Sequence, residues 1–211
     1  MFIIKVCLFL AMIVLLHGYL PTLILRLLWQ RNISLGSNDY LLTFDDGPSE
    51  VTSAVIDLLN NHGQVGIFFL LGNELKQYDL SIYDQHEIAC HGYQHVNFAL
   101  LDPIRTIKEF QKAMTAFKEK DIHLRYFRAP YGLYNLTLLY LIKRSGLQVV
   151  QWDHLLGDWR VESEGVLYQR LKNNARDGQV IVLHDGTQGS AQPQAKWHML
   201  KELERFLDGN P

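Results

Sequence analysis

From Tyr40 onward the chain alternates short apolar runs with amphipathic ones, and that order leaves few folds open. Tyr40–Phe44, Val65–Leu71, Glu87–Cys90, Leu124–Phe127, Gln148–Trp152 and Gln179–Leu183 read as strands. Between them lie segments with apolar residues at helical spacing. Val51, Val55, Leu58 and Leu59 follow the Gly47-Pro48 turn and stop at Gly63. Asp102-Pro103, an N-cap followed by proline at the first helical position, opens a helix carrying Ile104, Ile107, Met114 and Phe117. Further helices are expected over Asn135–Ser145, near Gly165–Ala175, and around Trp197, Leu200, Leu203 and Phe206. Strands that alternate with helices need crossover connections, which produce a mainly parallel sheet covered on both faces. Six strands in 211 residues fall short of a full eight-fold barrel of ~250 residues.

The unusual polar residues stand just past the carboxyl ends of these strands, where parallel α/β folds build their sites. Asp45-Asp46 follows the first strand, His91 and His95 the third, Arg128 the fourth and His184-Asp185 the last, with Asp158-Trp159 shortly beyond Trp152. Two imidazoles four residues apart can face one metal ion, and one carboxylate as third ligand leaves a position open, the pattern of a catalytic zinc site. Such an ion lowers the pKa of bound water to about 7 and polarises a carbonyl. A second carboxylate can take the water's proton and a separate histidine can protonate the leaving group. That inventory fits hydrolysis of an acyl bond. Each part alone has a plainer reading: a turn and helix cap for the aspartates, a satisfied core histidine for His184. Cys90, beside His91, is either a fourth ligand or a small buried residue. Five clusters at strand ends favour the joint reading.

Composition narrows the partners. Three of the 20 basic side chains and none of the 22 acidic ones lie in residues 1–31, so the remainder carries 17 against 22, a net of −5. An acidic body argues against nucleic acid, which needs a basic surface. Two cysteines, Cys7 and Cys90, exclude a disulfide scaffold and a four-cysteine zinc module.

Thr43-Phe44-Asp45-Asp46-Gly47-Pro48 resembles the first signature of the polysaccharide deacetylases, the NodB-homology group or carbohydrate esterase family 4. The other signatures follow in the family's order: His91-Gly92-Tyr93-Gln94-His95, Arg128-Ala129-Pro130-Tyr131-Gly132, Trp152 with Asp158-Trp159, and Leu183-His184-Asp185. The resemblance implies a distorted, incomplete (β/α) barrel of about six or seven parallel strands. It implies that Asp46, His91 and His95 bind a divalent metal, for which zinc suits the donors best. It implies Asp45 as general base, Arg128 holding Asp45, His184 as general acid and Asp158 orienting His184. The backbone N–H of Tyr131 would stabilise the oxyanion, and Trp159 and Leu183 would wall a pocket for the acyl methyl group. The sequence departs from the pattern at Gly92, where a hydroxyl residue is usual, at Gly66-Ile67 before Phe68-Phe69, and at Leu155, where an aspartate is common.

Ahead of this domain, expected over 38–211, Val6–Leu25 forms a 20-residue run without formal charge between Lys5 and Arg26. At ~1.5 Å per helical residue it matches the hydrocarbon core of a bilayer. Residues 1–31 are therefore expected to form a single-pass transmembrane helix, a membrane anchor, with the catalytic domain extracellular or periplasmic, where polymeric glycan is found. A cleaved signal peptide lacks its small-x-small site here, and a helix packed on the domain is the other alternative. The expected activity is removal of N-acetyl groups from amino sugars of a cell-envelope glycan, peptidoglycan- or chitooligosaccharide-like. O-acetyl ester hydrolysis on a polysaccharide, deformylation or deacetylation of a lipid-linked sugar, and a non-catalytic glycan-binding module are the alternatives. No sequence feature calls for an obligate protein partner.

Overall fold

The structure, a computed structural model, describes residues 2–29, 33 and 40–209. Arg31 and the expected domain boundary at residue 38 lie outside the described residues. Seven strands form one parallel sheet: β1 (Tyr40–Asp45), β2 (Gly66–Leu70), β3 (Glu87–Cys90), β4 (Tyr126–Phe127), β5 (Gln148–Val149), β6 (His154–Leu155) and β7 (Gln179–His184). Their order is β5-β4-β3-β2-β1-β7-β6, and every pairing is parallel. The helices are α1 (Phe2–Val14), α2 (Leu20–Leu28), α3 (Thr52–Asn61), α4 (Pro103–Glu119), α5 (Leu136–Arg144), α6 (Val166–Asn174) and α7 (Ala195–Leu207).

Side chains alternate across each strand, so the apolar runs divide between two cores. Leu41, Ile67, Phe69, Ala89, Tyr126, Val150 and Val180 fill the small inner one. Leu42, Phe44, Phe68, Leu70, Phe127 and Ile181 turn outward to meet the helices in the large one. Two helix starts are fixed by side-chain caps. Asp102 accepts from the Arg105 N–H at 2.9 Å ahead of α4, and Asn135 accepts from the Leu138 N–H at 2.8 Å ahead of α5.

The seventh strand, β6, extends the six expected, and it explains the distortion of the barrel. β5 and β6 are the two outermost strands, yet only residues 150–153 separate them in the chain. The Val150 N–H bonds to Phe127 O at 3.1 Å and the Asp153 N–H to Val180 O at 2.9 Å. That segment carries the chain from one sheet edge to the other, so the ring is closed covalently where a ladder is missing. The strand expected over 148–152 is shortened for the same reason.

At the amino terminus α1 and α2 join through a π-helical turn, Leu15–Tyr19, into an apolar helix over Ile4–Leu28 that is long enough to cross a membrane. Its later turns pack on the domain, as the alternative of a docked helix expects. Gly18 lies against Ala99 in the single 3-10 turn Phe98–Leu100, where a Cβ would come within 2.1 Å of the carbonyl oxygen. Thr22 Oγ1 donates to Tyr134 O at 3.0 Å and accepts from the Tyr134 N–H at 2.8 Å.

Candidate active site

Register brings the polar residues to one level. Asp45 at the end of β1 is opposite Phe69 of β2 and His184 of β7. Cys90 pairs with both Leu70 and Phe127, so His91 and Arg128 leave β3 and β4 side by side. The chain turns at Asp46 with φ +74°, in the left-handed region, and Gly186 lets the exit of β7 approach it; a Cβ there would lie 2.1 Å from Asp46 O. Tyr131 adopts φ +59° at the opposite rim. Two non-glycine residues in this sparsely populated region at one site are the kind of local strain a surrounding framework holds for function.

Asp46, His91 and His95 converge. Asp46 Oδ1 lies 3.4 Å from His91 Nε2 and 3.2 Å from His95 Nε2. His91 Nδ1 faces Arg128 O at 2.9 Å, and because a carbonyl only accepts, Nδ1 carries the proton and Nε2 presents its lone pair. Burial pushes the His95 imidazole down to about 4, against the pull of Asp46, so this ring is neutral near pH 7. Burial alone would raise the Asp46 carboxyl, but the imidazoles of His91, His184 and His95 around it hold it below its usual range. Asp46 Oδ1 is buried without a hydrogen-bond partner among the described residues. An orphaned anionic oxygen between two imidazoles is a donor set that fits a divalent cation, and these three residues form the described group able to hold one. Cys90 does not join it. Its Sγ accepts from the Gly92 N–H at 3.3 Å, and burial raises the thiol to about 12.

On either side stand one carboxylate and one imidazole. Arg128 is fully buried, its Nη1 donating to Asp45 Oδ1 at 2.7 Å and Thr43 Oγ1 at 2.9 Å. Its Nε and Nη2 donate to Val150 O and Gln151 O, each at 3.3 Å, in the segment that closes the ring. One guanidinium therefore fixes both the carboxylate and the closure of the barrel. His184 Nδ1 lies 3.0 Å from Asp158 Oδ1, and its backbone N–H donates to Asp158 Oδ2 at 2.6 Å. Burial would lower the His184 imidazole, but the charge and hydrogen bond of Asp158, with Asp46 and Asp45 behind, lift it to about 10. It is an imidazolium at neutral pH.

Asp45, Asp46, His91, His95 and His184 line one cavity of about 270 Å3, with Tyr131, Gly132, Trp152, Leu155, Trp159, Gln188, Ser190 and Ala191 completing it, while Arg128 and Asp158 are buried behind. The Tyr131 ring meets His95 edge-on at 4.5 Å and Trp159 meets His184 at 5.6 Å. Leu183, expected at the wall of the acyl pocket, lies apart from these residues. It is fully buried in the large core and does not line the cavity, because strand alternation turns it away from the face to which His184 points. Gln188, Ser190 and Ala191 escaped the sequence reading, since nothing in their residue types marks them. Gly92, one of the departures, sits at φ +97°, a conformation in which a side chain is strained.

The sequence profile of the family described as polysaccharide deacetylase matches residues 33–150. The chain belongs to the polysaccharide deacetylase family. It is 33% identical over 166 residues to a chitooligosaccharide deacetylase of Azorhizobium caulinodans, covering 73% of this chain and 77% of that one. To a peptidoglycan-N-acetylglucosamine deacetylase of Listeria monocytogenes it is 29% identical over 150 residues, 68% of this chain and 32% of the relative. A family 4 carbohydrate esterase from Streptomyces lividans, solved in complex with acetate, superposes with a TM-score of 0.67 at 27% identity, covering 82% of this chain and 89% of that one. Membership in the polysaccharide deacetylases makes this chain a hydrolase of carbon–nitrogen bonds other than peptide bonds.

Proposed function

We propose that this polysaccharide deacetylase removes N-acetyl groups from amino sugars of an envelope glycan and depends on a divalent metal held by Asp46, His91 and His95. The observation that carries this reading is the placement of a buried Arg-held carboxylate and a carboxylate-held imidazolium beside that triad, on the paired ends of β1 and β7. A bound divalent ion supplies Lewis acidity and lowers the pKa of water at the site to about 7. Asp45, aimed by Arg128, takes the proton of the attacking water. Its acceptance does not compete with Asp158, which is committed to His184. The His184 imidazolium gives its Nε2 proton to the departing nitrogen, so the amine leaves neutral and the carbon–nitrogen bond breaks. The Tyr131 N–H stabilises the developing oxyanion. Trp159 flanks the acyl methyl group. The relatives named for chitooligosaccharide and peptidoglycan deacetylation support an N-acetylglucosamine unit as substrate. The apolar helix supports an anchor that keeps the domain at the cell surface, facing glycan outside the cytoplasm. Incubation of the zinc-loaded protein with chitooligosaccharides and with peptidoglycan fragments, read by mass spectrometry, is expected to show loss of acetyl units from the sugar. Intact acetyl groups on both would overturn the reading.

A further inference from the structure

The helix that precedes the domain is tied to the same residues that shape the cavity mouth. Thr22 bonds both the N–H and the carbonyl of Tyr134, and the Tyr134 hydroxyl in turn accepts from the Ala129 N–H in the loop that carries Tyr131. One turn beyond Thr22, the Arg26 guanidinium lies over the Trp152 ring at 5.3 Å and within 3.2 Å of where a Cβ on Gly132 would stand. Trp152 and Gly132 both line the cavity. Arg26 has no carboxylate partner among the described residues, and it is exposed beside these two lining residues.

Beside this docked helix is an apolar surface. Asn135 Nδ2 donates to Phe98 O at 2.6 Å, Leu101 O at 3.2 Å and Thr106 Oγ1 at 2.8 Å, drawing the turn at Phe98–Leu100 and the starts of α4 and α5 together. Leu100, Ile104, Leu136 and Tyr140 surround that knot, each more than half exposed. Outside the N-terminal helix, eight large hydrophobic side chains are exposed among the described residues; these are four of them, and Tyr131 and Leu155 at the cavity rim are two more. Such a concentration on one face marks an interaction surface. Its occupant follows from continuity: the patch adjoins Gly18 and Ala99, where an apolar helix long enough to cross a bilayer emerges.

We propose that the face bearing Leu100, Ile104, Leu136 and Tyr140 rests on a lipid surface beside the N-terminal helix, and that the cavity takes the amino-sugar head group of a lipid-borne glycan whose phosphate meets Arg26. The substrate class rests on the deacetylase reading; the docking does not. Apolar side chains enter the acyl boundary, the Arg26 cation stays at head-group depth, and the mouth opens where a sugar phosphate on a lipid would be presented.

The docking is tested with the full chain in phosphatidylcholine nanodiscs, on a Cys7→Ser background, with a nitroxide attached at Ile104→Cys, Leu136→Cys or, as a water-facing control on α4, Lys118→Cys. Labels at 104 and 136 are expected to be reached by oxygen more readily than by a water-soluble nickel chelate, and the label at 118 the reverse. Equal nickel access at all three would overturn the docking, as would spin–spin broadening that places a second copy of the chain on the patch. The substrate class is tested by comparing N-acetylglucosamine 1-phosphate as a long-chain diester in vesicles, the same sugar phosphate as a methyl diester, and chitotetraose. Wild type is expected to prefer the long-chain diester, and Arg26→Gln to lower its kcat/KM relative to chitotetraose by about tenfold or more through KM, the size of a lost charge-assisted hydrogen bond. Equal losses on diester and chitotetraose would reduce Arg26 to packing on Trp152 and overturn the phosphate contact. Equal use of the two diesters would overturn the lipid. Failure of wild type on all three substrates would overturn the deacetylase reading and the substrate class with it, while the nitroxides still decide the docking.

Discussion

Two histidines in one cavity are driven in opposite directions. On the β3 side His95 packs against Tyr131, and burial takes its imidazole down to about 4. On the β7 side His184 is equally enclosed, and burial pulls the same way, but Asp158 outweighs it and lifts the ring to about 10. The difference is the carboxylate each ring has to itself. Asp46 is divided between His91 and His95 and left with an orphaned oxygen, whereas Asp158 gives both oxygens to His184. Environments that separate the pKa values of like groups assign their roles. A neutral imidazole suits a ligand, a charged one suits a proton donor.

The largest effects should come from the ligand side. His95→Ala is expected to lose both bound zinc, read by elemental analysis, and turnover. Asp45→Asn should retain zinc while turnover falls to background, since it removes a proton acceptor and keeps the ligands; retention of activity would put the base elsewhere. On the donor side His184→Ala should lower kcat by roughly 10²–10⁴, the usual contribution of general catalysis. The loss should be greater for an N-acetyl amide than for an activated aryl ester, whose leaving group needs no proton. Asp158→Asn is a smaller change that sharpens the contrast. It removes the charge holding His184 protonated, so the alkaline limb of the pH–rate profile should move to lower pH while zinc content stays constant. An unmoved limb would assign that titration to another group.

The same two rings give opposite dependences of stability on pH. His184, raised above its unfolded value near 6.5, contributes stability that is complete below pH 6.5 and is lost as pH rises through about 10. His95, depressed, contributes stability that is complete above pH 6.5 and is lost as pH falls toward about 4. Denaturant unfolding of the zinc-free protein across this range should show His184→Ala flattening the alkaline side and His95→Ala the acid side, as the smallest of these effects.

Much of this site was legible because its residues stand at ends of strands whose apolar runs are plain in the sequence. Asp45, His91, Arg128 and His184 each follow such a run, and parallel pairing then brings them to one level. What local pattern cannot carry is a relationship across the chain. β6 is two residues long and becomes a strand only by pairing His154 with Ile181 and Leu155 with Val182. Thr22 meets Tyr134 across 112 positions, so an apolar run that reads as a free anchor also has a docked half. Leu183 stood next to His184 in a recognised signature, but adjacency in a strand means opposite faces. Gln188, Ser190 and Ala191 reach the cavity only through the path of the loop after β7.

The division of labour between the two histidines is tested most directly by the ring nitrogen shifts of His184 and His95 in the zinc-loaded, 15N-histidine-labelled protein. At pH 7.5 His184 is expected to show both nitrogens protonated and to become neutral only well above that pH, while His95 remains neutral throughout and moves when zinc is removed. A neutral His184 at pH 7.5, titrating near the ordinary value of about 6.5, or a His95 indifferent to zinc, would contradict it.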